Sequence, residues 1–248
     1  KLLDLQHIIV HELEVPLPCQ KLVLEGAVLE NSECLLSLLS GLLSEHDGSI
    51  HLTLIVCLDR VQAVLQDDVG PEQKVVALQH VCEVGKKNSA VAIILASQSL
   101  KDTYRDVRDA AVQALRTIAH RGDESAVAAV SAYLDHDKWF VRHSALEALA
   151  EVAEKGNERV VLAVIQRLDD TDSDVRLVAM KVLSLVAKQG DEQAVTAMVK
   201  RLEDGDQNVR CFAVETLLRL VETGSDDVIT ALCRRLNDDV WYVRLMAV

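Results

Sequence analysis

The dipeptide Val-Arg recurs at 107/108, 141/142, 175/176, 209/210 and 243/244, each time 34 residues after the last. A fixed interval of this length commits the chain to stacked copies of one small unit, because a segment so short cannot bury an apolar face alone. Other columns keep the same step. Gly122, Gly156, Gly190 and Gly224 form one, Leu134, Leu168, Leu202 and Leu236 another, and Ala111, Ala145, Ala179, Ala213 and Ala247 a third.

Within the unit the pattern predicts two helices. Asp123, Asn157, Asp191 and Ser225 are good N-caps, and each is followed by an acid that the helix dipole favours, from Glu124 to Asp226. This first helix is expected to end near the repeated leucine. The second is expected to begin at Thr103, Asp137, Thr171, Gly205 or Asp239, and its apolar residues, such as Val141, Ala145, Leu146, Leu149 and Val152, follow helical spacing. The repeated glycine is expected to stop it from the left-handed C′ position. Half of the residues are apolar but only 3% are aromatic, so the core must be built from Leu, Val, Ile and Ala, which suits tightly stacked helices.

An acidic turn followed by Val-Arg-x-x-Ala-x-x-x-Leu, as in "DHDKWFVRHSALEALAEVAEKG" and "DDTDSDVRLVAMKVLSLVAKQG", resembles the HEAT-like repeats of the PBS-lyase type. The resemblance is strong from Leu100 to Val248. It extends to Leu58 through a degenerate unit with Ala77 on the alanine column and Asn88 on the glycine column. It implies a mainly α fold, a right-handed α-solenoid of helical hairpins over residues 58–248, with repeats at about 58–88, 89–122, 123–156, 157–190, 191–224 and a truncated 225–248.

Residues 1–57 do not carry the repeat. "KLLDLQHIIVHE" reads as a helix, the Pro16 to Pro18 segment forbids its continuation, and "SIHLTLIVCL" is strand-like and rich in β-branched residues. In order and spacing this segment resembles the second part of ubiquitin. Val15-Pro16 stands for the turn, Gln20 to Leu24 for the third strand, Gly26 for the tight turn, Val28 to Asn31 for the fourth strand and Ile50 to Leu54 for the last. The resemblance implies a partial ubiquitin-like β-grasp (α+β) segment without its first hairpin. Val56-Cys57-Leu58 stands where conjugating relatives end in Gly-Gly, so the module reads as integral and non-conjugated. The family's recognition patch falls on Val23, His51 and Thr53, which makes ubiquitin-receptor or proteasome-type partners an expectation of the resemblance.

Charge narrows the partners. A net charge of −13 argues against a nucleic-acid backbone or an anionic membrane, both of which need a concentrated basic surface. No uncharged stretch approaches the roughly 18 residues of a membrane span. The six cysteines never come as a close pair and sit among apolar neighbours, the usage of small buried hydrophobes in a reducing compartment, so a cytoplasmic or nuclear location is expected. The chain begins at Lys1 without Met and stops inside a repeat, and so reads as a piece of a longer protein.

The enzymes of this repeat type provide a test for catalysis. Deoxyhypusine hydroxylase holds iron through His-Glu pairs at equivalent repeat positions, whereas here His143 is followed by Ser144 and the aligned pairs are Asp109-Ala110, Leu177-Val178, Cys211-Phe212 and Leu245-Met246. No metal or other cofactor and no catalytic residue is expected. The bilin lyases of the same type leave no motif to look for and stand as the alternative reading, an enzyme or enzyme subunit.

The expected function is therefore a protein-binding scaffold. Tyr104, Trp139, Phe140, Trp241 and Tyr242 fall in the turns and first residues of second helices, where aromatic rings either anchor a partner or fold over the preceding repeat. His143 belongs to a column (Asp109, His143, Leu177, Cys211, Leu245) that varies on a constant frame, as does the column Gln113, Glu147, Lys181, Glu215. Arg108, Arg142, Arg176, Arg210 and Arg244 read as a structural ladder, each guanidinium bridging to a turn carboxylate of its own or the adjacent repeat.

Overall fold

The computed structural model describes residues 20–24, 27–28, 52–56, 58–85, 89–221 and 226–247. Near the N-terminus, β1 (Gln20–Leu24), β2 (Ala27–Val28) and β3 (Leu52–Val56) form a three-stranded sheet in the order β2-β1-β3. Both pairings are antiparallel, and Val23 stands opposite Val28 on one side and Thr53 on the other. The expected helix of residues 1–12, the Pro16 to Pro18 turn, Gly26 and His51 lie outside the described residues, so the β-grasp is not shown.

The other described residues are helices and the turns between them. Six hairpins follow one another: α1 (Asp59–Gln66) with α2 (Pro71–Gly85), α3 (Ser89–Ser99) with α4 (Arg105–Ile118), α5 (Glu124–Ser131) with α6 (Trp139–Val152), α7 (Glu158–Arg167) with α8 (Ser173–Val186), α9 (Glu192–Arg201) with α10 (Gln207–Leu220), and α11 (Asp226–Arg235) with α12 (Trp241–Met246). The second helices pack on one another in sequence order, α4 between α2 and α6, α8 between α6 and α10, and α12 on α10. The first helices α7 and α9 touch far less.

The core runs unbroken along this stack. The second helices α4, α6, α8 and α10 turn the same three positions inward: Val107, Ala111 and Leu115, then Val141, Ala145 and Leu149, then Val175, Ala179 and Leu183, then Val209, Ala213 and Leu217, all fully buried. Alanine in the middle lets neighbouring helices approach closely, while Val and Leu fill the space above and below it. The first helices answer with Ala126, Val130 and Leu134, Val160, Val164 and Leu168, and Ala194, Met198 and Leu202.

Local signals explain most helix ends. Asp123, Asn157 and Asp191 cap α5, α7 and α9 by accepting the free amides of the first turn. The second helices begin one residue later than the sequence predicts, with N-caps at Tyr104, Lys138, Asp172, Asp206 and Val240, of which only Asp172 and Asp206 accept amides through their side chains. The glycine column also does a different job from the expected one. The second helices stop at an extended residue, Ala119, Ala153 or Ala187, and the glycine follows three residues later. There its positive φ, 86° at Gly122, 85° at Gly156 and 78° at Gly190, aims the amide at the carbonyl ending the next second helix, Val152, Val186 or Leu220, at 2.8, 2.6 and 2.7 Å. The glycines thus tie each connecting turn to the following hairpin, a contact between units that no within-unit pattern predicts.

A braced surface and its exposed aromatics

Every Val-Arg arginine turns its Nη1 back onto two carbonyls of its own turn. Arg142 donates to His136 and Asp137 at 2.8 and 3.0 Å, and Arg176 to Asp170 and Thr171 at 2.8 and 3.3 Å. Arg108, Arg210 and Arg244 do the same with Asp102 and Thr103, Asp204 and Gly205, and Asp238 and Asp239. The rest of the fork reaches into the next repeat. Through Nε and Nη2, Arg142 clasps Asp170 at 2.7 and 2.6 Å, Arg176 clasps Asp204 at 3.0 and 2.8 Å, and Arg210 clasps Asp238 at 3.0 Å twice. Lys74 occupies the same column in α2 and meets Asp102 at 2.9 Å. Each of these aspartates also accepts the amide two residues on, from Tyr104, Asp172, Asp206 or Val240, and so holds the turn that presents it.

A second arginine column runs the other way. Arg167 donates to the Leu134 carbonyl at 3.0 Å and pairs with Asp135 at 2.8 Å, Arg201 reaches the Leu168 carbonyl at 2.9 Å and Asp169 at 2.7 Å, and Arg235 reaches the Leu202 carbonyl at 3.0 Å. Arg201 and Arg235 also touch Asp204 and Asp238 of their own repeats, so each of those carboxylates is held by an arginine of the preceding repeat and by one of its own. Sequence reasoning missed this column. Its signal was present, since Arg-Leu at 167/168, 201/202 and 235/236 keeps the 34-residue step.

Bidentate charge-assisted pairs of this kind fix geometry as well as adding energy. They also set an acid limit. Burial alone would raise the Asp170 carboxyl, but the hydrogen bond from Arg142, the Asp172 amide and the charges of Arg142 and Arg167 outweigh it and hold it below the usual carboxylate range. The Arg210 hydrogen bond, against burial, holds Asp238 well below that range. A carboxyl depressed in the folded state contributes stability that is fully present above its unfolded value, about pH 4, and is lost as pH falls through the folded one. The thermal midpoint is therefore expected to stay level from about pH 7 to pH 5 and to fall below about pH 4. Asp170→Asn should start lower and decline less steeply; parallel curves for the two proteins would contradict the assignment.

Arg108 is the exception among the forward arginines. The residue 28 positions on is His136, which keeps the turn by accepting the Lys138 amide on Nδ1 at 3.1 Å but offers no carboxylate. Arg108, only 9% exposed, bonds instead to the Ser144 hydroxyl at 3.2 Å and lies over the Phe140 ring, 4.6 Å from its centroid. Burial pushes its guanidinium below its ordinary value, partly offset by Asp109.

The aromatic residues divide in two. Phe140 lies against Arg108 of the preceding repeat, and the Tyr242 hydroxyl reaches back to Asn208 Oδ1 at 3.5 Å, so both fold over the frame. Trp139, Trp241 and Tyr104 do not; they are 46%, 65% and 48% exposed. Trp139 stands edge-on to Phe140 and His143, at 6.0 and 6.4 Å between centroids, and Trp241 stands edge-on to Tyr242 at 5.7 Å. The two clusters sit at equivalent places in α6 and α12, with Ser173 and Gln207 at that position in the two helices between. His143 lies one turn further along α6 and contacts Glu147 at 3.4 Å, which lowers the Glu147 carboxyl. A groove of about 350 Å³ crosses α4, α6 and α8, walled by Asp109 and Gln113, Glu147 and Glu151, and Lys181 and Leu185. Two of the variable columns thus converge on one surface. Of the N-terminal patch, Val23 and Thr53 are paired strand positions, and His51 lies outside the described residues.

Among the described residues no group of three or more His, Cys, Asp or Glu side chains could hold a metal ion. No helix among them is long and apolar enough to cross a membrane.

No curated protein is matched by this sequence. Among solved structures, a mutant of Kap121p superposes with a TM-score of 0.59 at 16% identity, covering 77% of this chain and 24% of that one. The Escherichia coli protein YibA gives 0.55 at 18% identity, covering 88% and 74%. A designed armadillo repeat protein solved with a (KR)4 peptide gives 0.49 at 19% identity, covering 77% and 96%. At such identities the likeness to Kap121p and YibA concerns the fold alone. The family model for HEAT repeats matches residues 94–184 and again 161–248, well over half of the chain. With its hairpins, its columns and this match together, the chain belongs to the HEAT repeat family.

Proposed function

We propose that this protein is a non-catalytic scaffold that holds a protein partner on the second-helix surface and the neighbouring turns. Solenoids of this family are typically interaction scaffolds, with a constant frame that carries a variable face. The observation that carries the reading is that both tryptophans of the chain are exposed, in a protein with 3% aromatic residues. Large rings in water are the usual anchors of an interface, and their truncation removes most of the affinity they supply. Phe140 and Tyr242 seat them, while His143 and the groove beside it supply selectivity.

The N-terminal residues act in this proposal as a second, ubiquitin-like contact. The strand order β2-β1-β3, antiparallel throughout, supports that part, as does the pairing of Val23 with Thr53. Ubiquitin-receptor or proteasome-type proteins are the partners it would address, in the cytoplasm or nucleus. A division at residue 57 separates the two modules.

The test is a comparative capture from cell extract, quantified by mass spectrometry, with the wild-type chain and with Trp139→Ala plus Trp241→Ala. Proteins held by the wild type are expected to fall by about tenfold or more in the variant, at unchanged helicity and melting temperature. An unchanged set of captured proteins would sink the proposal.

A further inference from the structure

The repeats of this solenoid are not equally joined. Between α5–α6 and α7–α8, and at the two boundaries that follow, a forward arginine clasps an aspartate of the next repeat and a backward arginine grips a carbonyl of the previous one. Between α1–α2 and α3–α4 the forward pair is Lys74 with Asp102. Only the boundary between α3–α4 and α5–α6, among the described residues, lacks both. Its forward rung ends at His136 instead of a carboxylate. On its backward rung the arginine column is occupied by Tyr133, whose ring packs against the core.

We propose that this boundary is the built-in flexion point of the solenoid, the place where the stack bends when its surface is occupied. What joins the two hairpins is one hydrogen bond from Arg108 to Ser144, the stacking on Phe140, the Gly122 amide bond to Val152 and, in the connecting turn, the contacts of Asp123 with His120, besides apolar packing that includes α3 against α5. Stacking and apolar packing tolerate a small rotation of one hairpin on the next, whereas a bidentate guanidinium–carboxylate pair does not. The location gives the flexion a use. The groove has Asp109 and Gln113 on one side of this boundary and Glu147 and Glu151 on the other, so bending here changes its width. The inference concerns the frame and stands whether or not the aromatic surface binds a partner.

Three equivalent amides report on it: Gly122, Gly156 and Gly190 each donate to the end of the following second helix. Native-state hydrogen exchange followed by NMR, corrected for intrinsic rates, is expected to show Gly122 exchanging about tenfold faster than Gly156 and Gly190. His136→Asp, which supplies the missing carboxylate opposite Arg108, is expected to bring Gly122 down to the rate of the other two. In a second variant, Asp170→His, Gly156 should become fast as well while Gly122 stays fast, because the rung of Arg142 is then broken too. Equal rates in the wild type would overturn the proposal. So would a fast Gly122 that His136→Asp leaves unchanged, since that pattern belongs to fraying from the N-terminal end.

Discussion

Arg142→Ala is expected to cost about 3–5 kcal/mol of unfolding free energy, because it strands a buried charge. The Asp170 side chain is 3% exposed and loses the fork that holds both of its oxygens, keeping only the Asp172 amide. The same substitution frees the carbonyls of His136 and Asp137, so the turn before α6 loses its internal brace as well. The size of the effect does not measure the worth of the pair. Two charges taken out of water recover only part of their desolvation cost from each other, so Arg142→Met combined with Asp170→Leu is expected to cost less than Arg142→Ala. The remaining cost comes from the lost bonds to the His136 and Asp137 carbonyls and the Asp172 amide. Urea denaturation of the two variants checks both statements. A near-neutral alanine variant would mean that Asp170 rehydrates. Because each repeat touches only its neighbours, the alanine variant should also unfold in two steps or with a reduced m-value.

Leu183→Ala is the second large effect, at about 2–5 kcal/mol. Leu183 is fully buried in α8, in the layer that continues through Leu149 and Leu217. The cavity cannot close cheaply. Helix α8 is pinned at its start by Arg176 and at its end by the Gly156 amide on Val186, which restricts its collapse into the space. Leu185, two residues on, is half exposed, and Leu185→Ala is expected to stay within about 0.5 kcal/mol. Denaturant midpoints that placed the two variants together would show that the layer is not the core of the repeat.

Local periodicity carried the fold because the repeat writes the same physics several times over. Val107, Ala111 and Leu115 and their equivalents announce an inward stripe, and Asp123, Asn157 and Asp191 announce the helix starts. Features made between repeats were harder to read. The glycine amides, the carboxylate partners of Arg142, Arg176 and Arg210 and the backward column from Arg167 onward all join residues about 28 to 33 positions apart, and pairing across a boundary depends on how the units stack. The aromatic edge was visible as composition, but its division was not. Phe140 and Tyr242 lie over the preceding repeat only because the stack brings Arg108 and Asn208 beneath them.

The forward rungs have one more consequence, for how the length of such a protein can change. Each joins residues 28 apart across a boundary, and Asp170 and Asp204 are themselves one repeat apart. Removing residues 157–190 would bring Asp204 opposite Arg142, whereas a cut that is not a whole number of repeats would leave an arginine facing the wrong turn. Insertion and deletion are thus quantised at one repeat, and the chain can be lengthened or shortened by whole units without any new rung having to be devised.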